Sequence, residues 1–174
     1  MICLLLQVLM NAVFVDRKRA LGMARIEGIR IRNFRALRDV TLGRVFSVQK
    51  PEPLTPMTAV IGKNGAGKST LFDAFGFLAD CLGTGVEEAF DLRERGGFER
   101  VKSQDATGPI AFEVYYKEEG NARPITYELE IDRDSSGRPY VLRERLRQRR
   151  KNERRGWPFS FLILNDYRLS RNCS

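Results

Sequence analysis

Apolar and polar residues alternate along two stretches between positions 110 and 132, and this alternation predicts β-strands. Positions 110, 112, 114 and 116 are apolar or aromatic, and positions 125, 127, 129 and 131 repeat the pattern. A period of two is typical of a strand with one buried face. The short sequences EEGN at 118–121 and DSSG at 134–137 are turn formers. The pattern therefore predicts an antiparallel meander with strands at 110–117, 125–132 and 140–146.

Two further strands are predicted nearer the start of the chain. Residues 29–32 alternate apolar with basic side chains, and residues 40–42 resume the alternation after a short polar connection. Both segments predict strands of a sheet with one buried face. A proline-rich connector at 49–56 then leads into the apolar run MTAVI at 57–61, which predicts a short buried strand.

After residue 70 the apolar pattern changes to a helical period. Apolar residues recur at Leu71, Phe72, Phe75, Leu78, Ala79 and Leu82, until Gly83-Thr84-Gly85 ends the predicted helix. Residues 85–108 are polar and contain several glycines, which predicts mostly loop with a short helix. The last apolar run, at 157–164, predicts a buried strand.

The amino-acid composition mainly excludes certain kinds of site and mechanism. A chain of 174 residues, 43% of them hydrophobic, suits one domain with a core. The three cysteines, Cys3, Cys81 and Cys173, lie far apart and histidine is absent, which argues against a disulfide framework or a zinc site. Ser-His-Asp and Cys-His mechanisms are excluded because they need histidine. Any catalysis must use carboxylates, lysine, arginine or metal-bound water.

The first 22 residues differ from the rest of the chain. Residues 1–15 are apolar but too few for an ordinary membrane span, and the basic residues at 17–19 follow them, whereas a signal peptide carries its basic residues in front. We expect residues 1–22 to be an extension outside the fold, and a membrane or partner-binding anchor is the alternative. No membrane association is expected, and the expected location is cytoplasmic.

One nonapeptide carries the most specific chemistry of the chain. GKNGAGKST at residues 62–70 satisfies the phosphate-loop (Walker A) pattern G-x-x-x-x-G-K-[ST]. Its members are Gly62, Lys63, Asn64, Gly65, Ala66, Gly67, Lys68, Ser69 and Thr70. A chance match is the alternative, but the motif lies between a predicted strand and a predicted helix, which is the context it requires.

The residue types of this loop suit the phosphates of a nucleotide. Glycines let successive backbone N–H groups turn toward the negative charges, and side chains at Gly65 or Gly67 would obstruct the phosphates. The following helix adds the positive end of its dipole. Lys68 can reach the β- and γ-phosphates, the Ser69 hydroxyl can coordinate Mg²⁺, and Thr70 can donate to the α-phosphate.

A basic run extends from Arg143 to Arg155. It holds eight basic residues against two acidic ones, Glu144 and Glu153, and supplies most of the net charge of +8. Clustered arginines and lysines neutralise nucleic-acid phosphates, so DNA is a candidate partner. A solvated basic strand end or linker is the alternative, since charge runs are common on protein surfaces.

The sequence IRNFR at residues 31–35, followed by the phosphate loop, resembles the N-terminal half of the RecF/SMC-type ATPases, an ABC-type branch often labelled AAA-family ATPases. The resemblance covers about residues 23–150. It implies an α/β P-loop NTPase fold in which two strands precede the loop and an antiparallel β-subdomain follows its helix. It also implies ATP and Mg²⁺ as ligands, and hydrolysis by two paired heads, so that a homodimer of heads is expected.

The chain departs from that family in its last part. Family members resemble one another in a serine-glycine signature motif and an apolar strand ending in Asp-Glu, in which Asp assists Mg²⁺ and Glu prepares the attacking water. The nearest match here is FLILND at 161–166, but Tyr167 replaces the Glu, and Asp166 is better explained as an ordinary strand-end or turn residue. We assign no catalytic residue and expect an incomplete domain, with an extension at 1–22, the N-terminal lobe at 23–150 and a truncated segment at 151–174.

Three functions remain in competition. The leading hypothesis is an ATP-binding module whose hydrolysis needs a missing C-terminal half or a partner. The alternative from another class is a basic nucleic-acid-binding module with an idle phosphate loop. A GTPase or phosphotransferase is the third, and the sequence shows neither a clear Asn-Lys-x-Asp guanine-reading motif nor an evident acceptor site.

Overall fold

The computed structural model describes residues 25–48, 52–117, 124–148 and 159–167, with the backbone alone at 159 and 161–167. Within these ranges the chain is mixed α/β, because one antiparallel sheet packs against one long helix. The expectations for residues 1–22, for the turn at 118–121 and for the basic residues at 149–155 lie outside the described residues.

Six strands form a single sheet. They are β1 (Arg25–Phe34), β2 (Leu37–Gly43), β3 (Ile110–Lys117), β4 (Ile125–Arg133), β5 (Pro139–Gln148) and β6 (Phe159–Tyr167). Their order across the sheet is β2-β1-β3-β4-β5-β6, and every neighbouring pair is antiparallel. The predicted meander is confirmed, as are the two strands before the phosphate loop. Since β1 pairs with β3, both groups belong to one sheet.

One long helix and three short turns of helix connect β2 to β3. They are α1 (Lys68–Gly83), α2 (Val86–Ala89), a 3-10 turn (Leu92–Glu94) and α3 (Phe98–Val101). The predicted helix is confirmed, and it ends where the Thr84 backbone N–H donates to the Asp80 carbonyl at 2.8 Å. The segment at 85–108 holds more helix than its polar, glycine-containing sequence predicts.

Phenylalanines at the contact between α1 and the sheet form the centre of the core. Phe77 of α1 is fully buried, and its ring centroid lies 5.3 Å from that of Phe34, 4.8 Å from that of Phe90 and 5.9 Å from that of Phe112. Burying one such side chain contributes about 1.5–3 kcal/mol. The core residues of β3 are even-numbered and those of β4 are odd-numbered, and Phe112 pairs with Leu129 across the two strands. This alternation is the period that predicted the strands.

The opposite face of the sheet carries charges that pair between β4 and β5. Glu130 lies opposite Arg143 and Glu128 opposite Arg145, and the side chains join at 2.6 Å and 2.5 Å. Arg147 also binds Glu128. Opposite charges on neighbouring strands stabilise a sheet. The first three arginines of the basic run therefore bind carboxylates of the same sheet.

The predicted buried strand at 57–61 is wrong. The backbone of these residues forms no strand, and the side chains of Met57 and Ile61 are 91% and 93% exposed. A strand needs a neighbour that accepts and donates its backbone hydrogen bonds. In the described sheet β2 is an edge strand, and the apolar run does not pair with it or with any other strand.

None of the helices in the described ranges is both long enough and apolar enough to cross a membrane.

Candidate phosphate-binding site

The phosphate loop forms an exposed turn directly before α1. Gly65 and Gly67 adopt left-handed backbone conformations, with φ of 83° and 85°. Such conformations strain any residue with a Cβ atom. At Gly67 an added Cβ would also lie 3.2 Å from Cδ2 of Leu37, which is closer than ordinary contact. Glycine at position 67 thus serves both the turn and the packing of the loop against the start of β2.

The N-terminus of α1 leaves backbone donors available. Gly67 is its N-cap, and no side chain caps the helix. The first intrahelical bond runs from the Leu71 N–H to the Gly67 carbonyl at 2.9 Å. The N–H groups of the preceding turn have no acceptor within the helix, and they lie at the positive end of the helix dipole. This arrangement suits an anion such as a phosphate group.

The side chain of Lys68 folds back over the loop. Its Nζ atom donates to the Gly62 carbonyl at 2.6 Å and to the Lys63 carbonyl at 2.7 Å. These two bonds close the loop on itself and hold an ammonium group beside the free N–H groups. A phosphate that entered the loop would therefore meet a fixed positive charge as well as backbone donors.

Two other residues of the motif, Ala66 and Ser69, also bear on how the loop could hold phosphates and Mg²⁺. The Ala66 N–H donates to the Lys63 carbonyl at 3.2 Å, which makes the turn at Asn64 and Gly65. Ser69 lies in the first turn of α1 and is exposed. Its hydroxyl is thus accessible to a Mg²⁺ ion carried by the phosphates, since Mg²⁺ prefers oxygen ligands and keeps several waters. The donor set of residues 62–70 therefore fits a Mg²⁺–nucleotide complex.

Two aspartates of α1 bind arginines that the motif does not include. Arg95 is fully buried, and it contacts Asp73 Oδ1 through Nε at 3.1 Å and Asp80 Oδ2 through Nη1 at 2.7 Å. Asp73 also pairs with Nε of Arg35 at 3.0 Å, and Asp80 with Nε of Arg93 at 2.8 Å. The helix that begins at the phosphate loop is thus held by arginines from the β1–β2 turn and from the segment after α2.

These ion pairs affect the ionisation of Asp80. The hydrogen bond from Arg93 is the largest influence, and together with Arg95 it holds the pKa of Asp80 below its ordinary value, although burial opposes this. Sequence reasoning missed this network. A signal for it existed, because Asp73 and Asp80 are seven residues apart and so lie on one face of the helix, two turns from each other.

The other residues singled out in the sequence belong to β5 and β6. Asp166 lies within β6, the strand at the edge of the described sheet, next to β5. Arg143 and Arg145 pair with Glu130 and Glu128, as described above. DNA binding by the basic run stays a prediction.

A family model with the description "AAA domain, putative AbiEii toxin, Type IV TA system" matches residues 57–173, which are 117 of the 174 residues. The match begins at the exposed apolar run and includes the whole phosphate loop. No curated protein and no solved structure matches the chain.

Proposed function

The chain belongs to this family of AAA domains, which are nucleotide-binding and ATPase-like, and we propose that it is the ATP-binding module of an ABC-type ATPase of the RecF/SMC kind. In this proposal, residues 62–70 hold the phosphates of Mg²⁺–ATP. Lys68 contacts the β- and γ-phosphates, and Ser69 contacts the metal ion.

The observation that carries the proposal is the geometry of the loop. Gly65 and Gly67 are left-handed, α1 has no side-chain cap, and Lys68 Nζ lies 2.6 Å and 2.7 Å from two loop carbonyls. The proposal is supported because the uncapped start of α1 leaves backbone N–H groups without helical acceptors, and because the Lys68 ammonium is held against the same loop. A match to the motif by chance would not require any of them.

Hydrolysis is proposed to need groups from a further polypeptide segment or from a second head. The sequence has no strand ending in Asp-Glu and no signature motif, so the residue that prepares the attacking water is not identified in this chain. The exposed apolar run supports this view. Met57 and Ile61 are almost fully exposed, and Phe72 of α1 is 66% exposed. Large exposed apolar side chains of this kind mark surfaces that another element covers.

Calorimetry of the folded chain with ATP, in the presence and absence of Mg²⁺, tests the proposal. We expect saturable binding that depends on Mg²⁺ and is lost in Lys68→Ala, because that change removes the ammonium group and both loop contacts. Lys117→Ala is the matched control, since it removes the same charge at the end of β3. Circular dichroism verifies that each variant is folded.

Three results separate the competing functions. Loss of binding in Lys68→Ala but not in Lys117→Ala supports a working phosphate loop. Equal binding by both variants and the unchanged chain would contradict it. Binding of DNA that falls steeply with salt and is unaffected by Lys68→Ala would favour the basic module instead.

A further inference from the structure

A polar cavity of about 670 Å³ opens between the β1–β2 turn and the segment after α2. Its walls include Arg35, Arg100, Lys102, Ser103, Gln104 and Asp105. Small-ligand sites in proteins have volumes of about 300–1,000 Å³, so the cavity has the size of a ligand site.

The cavity lies beside the start of α1. Arg35 forms part of its wall, and the Arg35 Nε atom is 3.0 Å from Asp73 Oδ2. Asp73 follows Ser69 by four residues, so the two lie on one face of α1, about 6 Å apart along the helix axis. Leu37, two residues after Arg35, is the residue that approaches Gly67. The cavity and the phosphate loop are therefore adjacent.

Hydrogen bonds hold the cavity wall in place. The Arg35 N–H donates to the Val101 carbonyl at 2.7 Å, and the Ser103 N–H donates to the Asn33 carbonyl at 3.0 Å. The Ser103 hydroxyl donates to the Arg35 carbonyl at 2.6 Å. The Asn33 side chain donates to the Pro109 carbonyl at 2.9 Å. These bonds tie residues 101–109 to the turn after β1, so the cavity is formed before any ligand binds.

Asp105 supplies a carboxylate to the cavity wall beside its cations. Asp105 has a left-handed backbone, with φ of 58°, and its side chain has no hydrogen bond or ion pair with the described residues. Three of the four cations in the wall pair with other carboxylates, namely Arg35 with Asp73, Lys102 with Asp132 and Arg133 with Glu99. A carboxylate without a partner accepts hydrogen bonds from hydroxyl groups, as acidic residues do from ribose in dinucleotide sites.

We infer that this cavity takes the nucleoside end of the nucleotide whose phosphates lie in the loop, with Asp105 accepting hydrogen bonds from the ribose hydroxyls. The inference rests on the proposed function. It assigns the sugar end of the ligand to the segment at 103–106 and leaves the phosphates to residues 62–70.

Calorimetry of the full chain with Mg²⁺ and either ATP or inorganic tripolyphosphate tests this assignment, since tripolyphosphate has no ribose. The unchanged chain should bind ATP more tightly than tripolyphosphate. Asp105→Ala should bind ATP about tenfold more weakly, which is the usual effect of losing a hydrogen bond to a charged group, and should bind tripolyphosphate at least as well as before. Asp91→Ala removes an exposed carboxylate that does not line the cavity, and it should leave both affinities unchanged.

The other outcomes overturn the inference in distinguishable ways. If Asp105→Ala binds ATP like the unchanged chain, or weakens both ligands equally, the cavity does not hold the ribose, while the phosphate loop stands. The same holds if the unchanged chain binds ATP and tripolyphosphate equally well. If the folded chain binds neither ligand, both the inference and the proposed function fail.

Discussion

Replacing the buried guanidinium of Arg95 by methionine should destabilise the fold far more than the same change at Arg93, although both arginines bind Asp80. The two sites differ in burial. The side chain of Arg95 is 0% exposed, whereas that of Arg93 is 64% exposed. Arg95→Met and Arg93→Met therefore form a matched pair that removes the same group from a dry and from a solvated position.

The contacts of Arg95 set the size of the effect. Besides its ion pairs with Asp73 and Asp80, its Nη1 atom donates to the buried Ala89 carbonyl at 2.8 Å. Removing one partner of a buried ion pair costs about 3–5 kcal/mol. Here both aspartates keep another arginine, so the lower end, about 3 kcal/mol, is expected for Arg95→Met. An exposed pair contributes less, so Arg93→Met should cost below about 1 kcal/mol.

Urea unfolding followed by far-ultraviolet circular dichroism measures both values. Domains of this size have free energies of unfolding of about 5–15 kcal/mol, so a loss of 3 kcal/mol shifts the midpoint clearly. Equal destabilisation by the two variants would refute the reasoning, because it would mean that burial of Arg95 does not strengthen its ion pairs. A cost for Arg95→Met near zero would refute it as well.

Three further predictions use the same measurement. Phe77→Ala should cost about 3–5 kcal/mol because its ring is fully buried, whereas Phe72→Ala, at an exposed position, should change stability by less than about 0.5 kcal/mol. Arginines lower the folded-state pKa of Asp80 below its ordinary value of 3.8. The contribution of the ionised Asp80 carboxylate to the free energy of unfolding should therefore be fully present above about pH 4 and lost as pH falls through the folded-state pKa. Asp80→Asn should accordingly weaken the dependence of stability on pH in that acid range. Gly28→Ala should destabilise by about 3 kcal/mol, because the new Cβ would lie 1.8 Å from a backbone oxygen. Gly76→Ala, whose Cβ would meet nothing closer than 3.5 Å, should stabilise α1 by about 1 kcal/mol.

The hydrophobic period predicted most of the sheet and α1 from the sequence. Alternating apolar residues predict β3 and β4, and the helical spacing after residue 70 predicts α1, because burial on one face imposes these periods directly. The turn sequence at 134–137 predicts that a third strand follows. The sequence pattern does not predict the pairing of β1 with β3. The paired residues are about 80 positions apart, and such a pairing leaves no local signal.

The failure at 57–61 has a different cause. The run MTAVI has the composition of a buried strand, but apolar composition specifies a preference for burial and not the partner that provides it. In the described structure Met57 and Ile61 are exposed. The spacing of the motif and the helical period after it predict the phosphate loop at 62–70. The spacing of Asp73 and Asp80 does not identify Arg95 as their partner, because the pairing of Asp73 with Arg95 spans 22 positions.

The helix α1 contacts both the phosphate loop and the wall of the polar cavity, and so it connects the motif to the rest of the fold. α1 begins at the loop, and its Asp73 contacts Arg35 in the cavity wall and the buried Arg95 behind it. Arg95 in turn binds Asp80 and the Ala89 carbonyl, so the helix, the β1–β2 turn and the segment after α2 are fixed relative to one another. A ligand that reaches from the loop to the cavity would bind groups that are already held in position, which lowers the ordering cost of binding. We therefore expect the affinity of the proposed site to depend on aspartates that need not touch the ligand, as well as on Lys68 and Ser69.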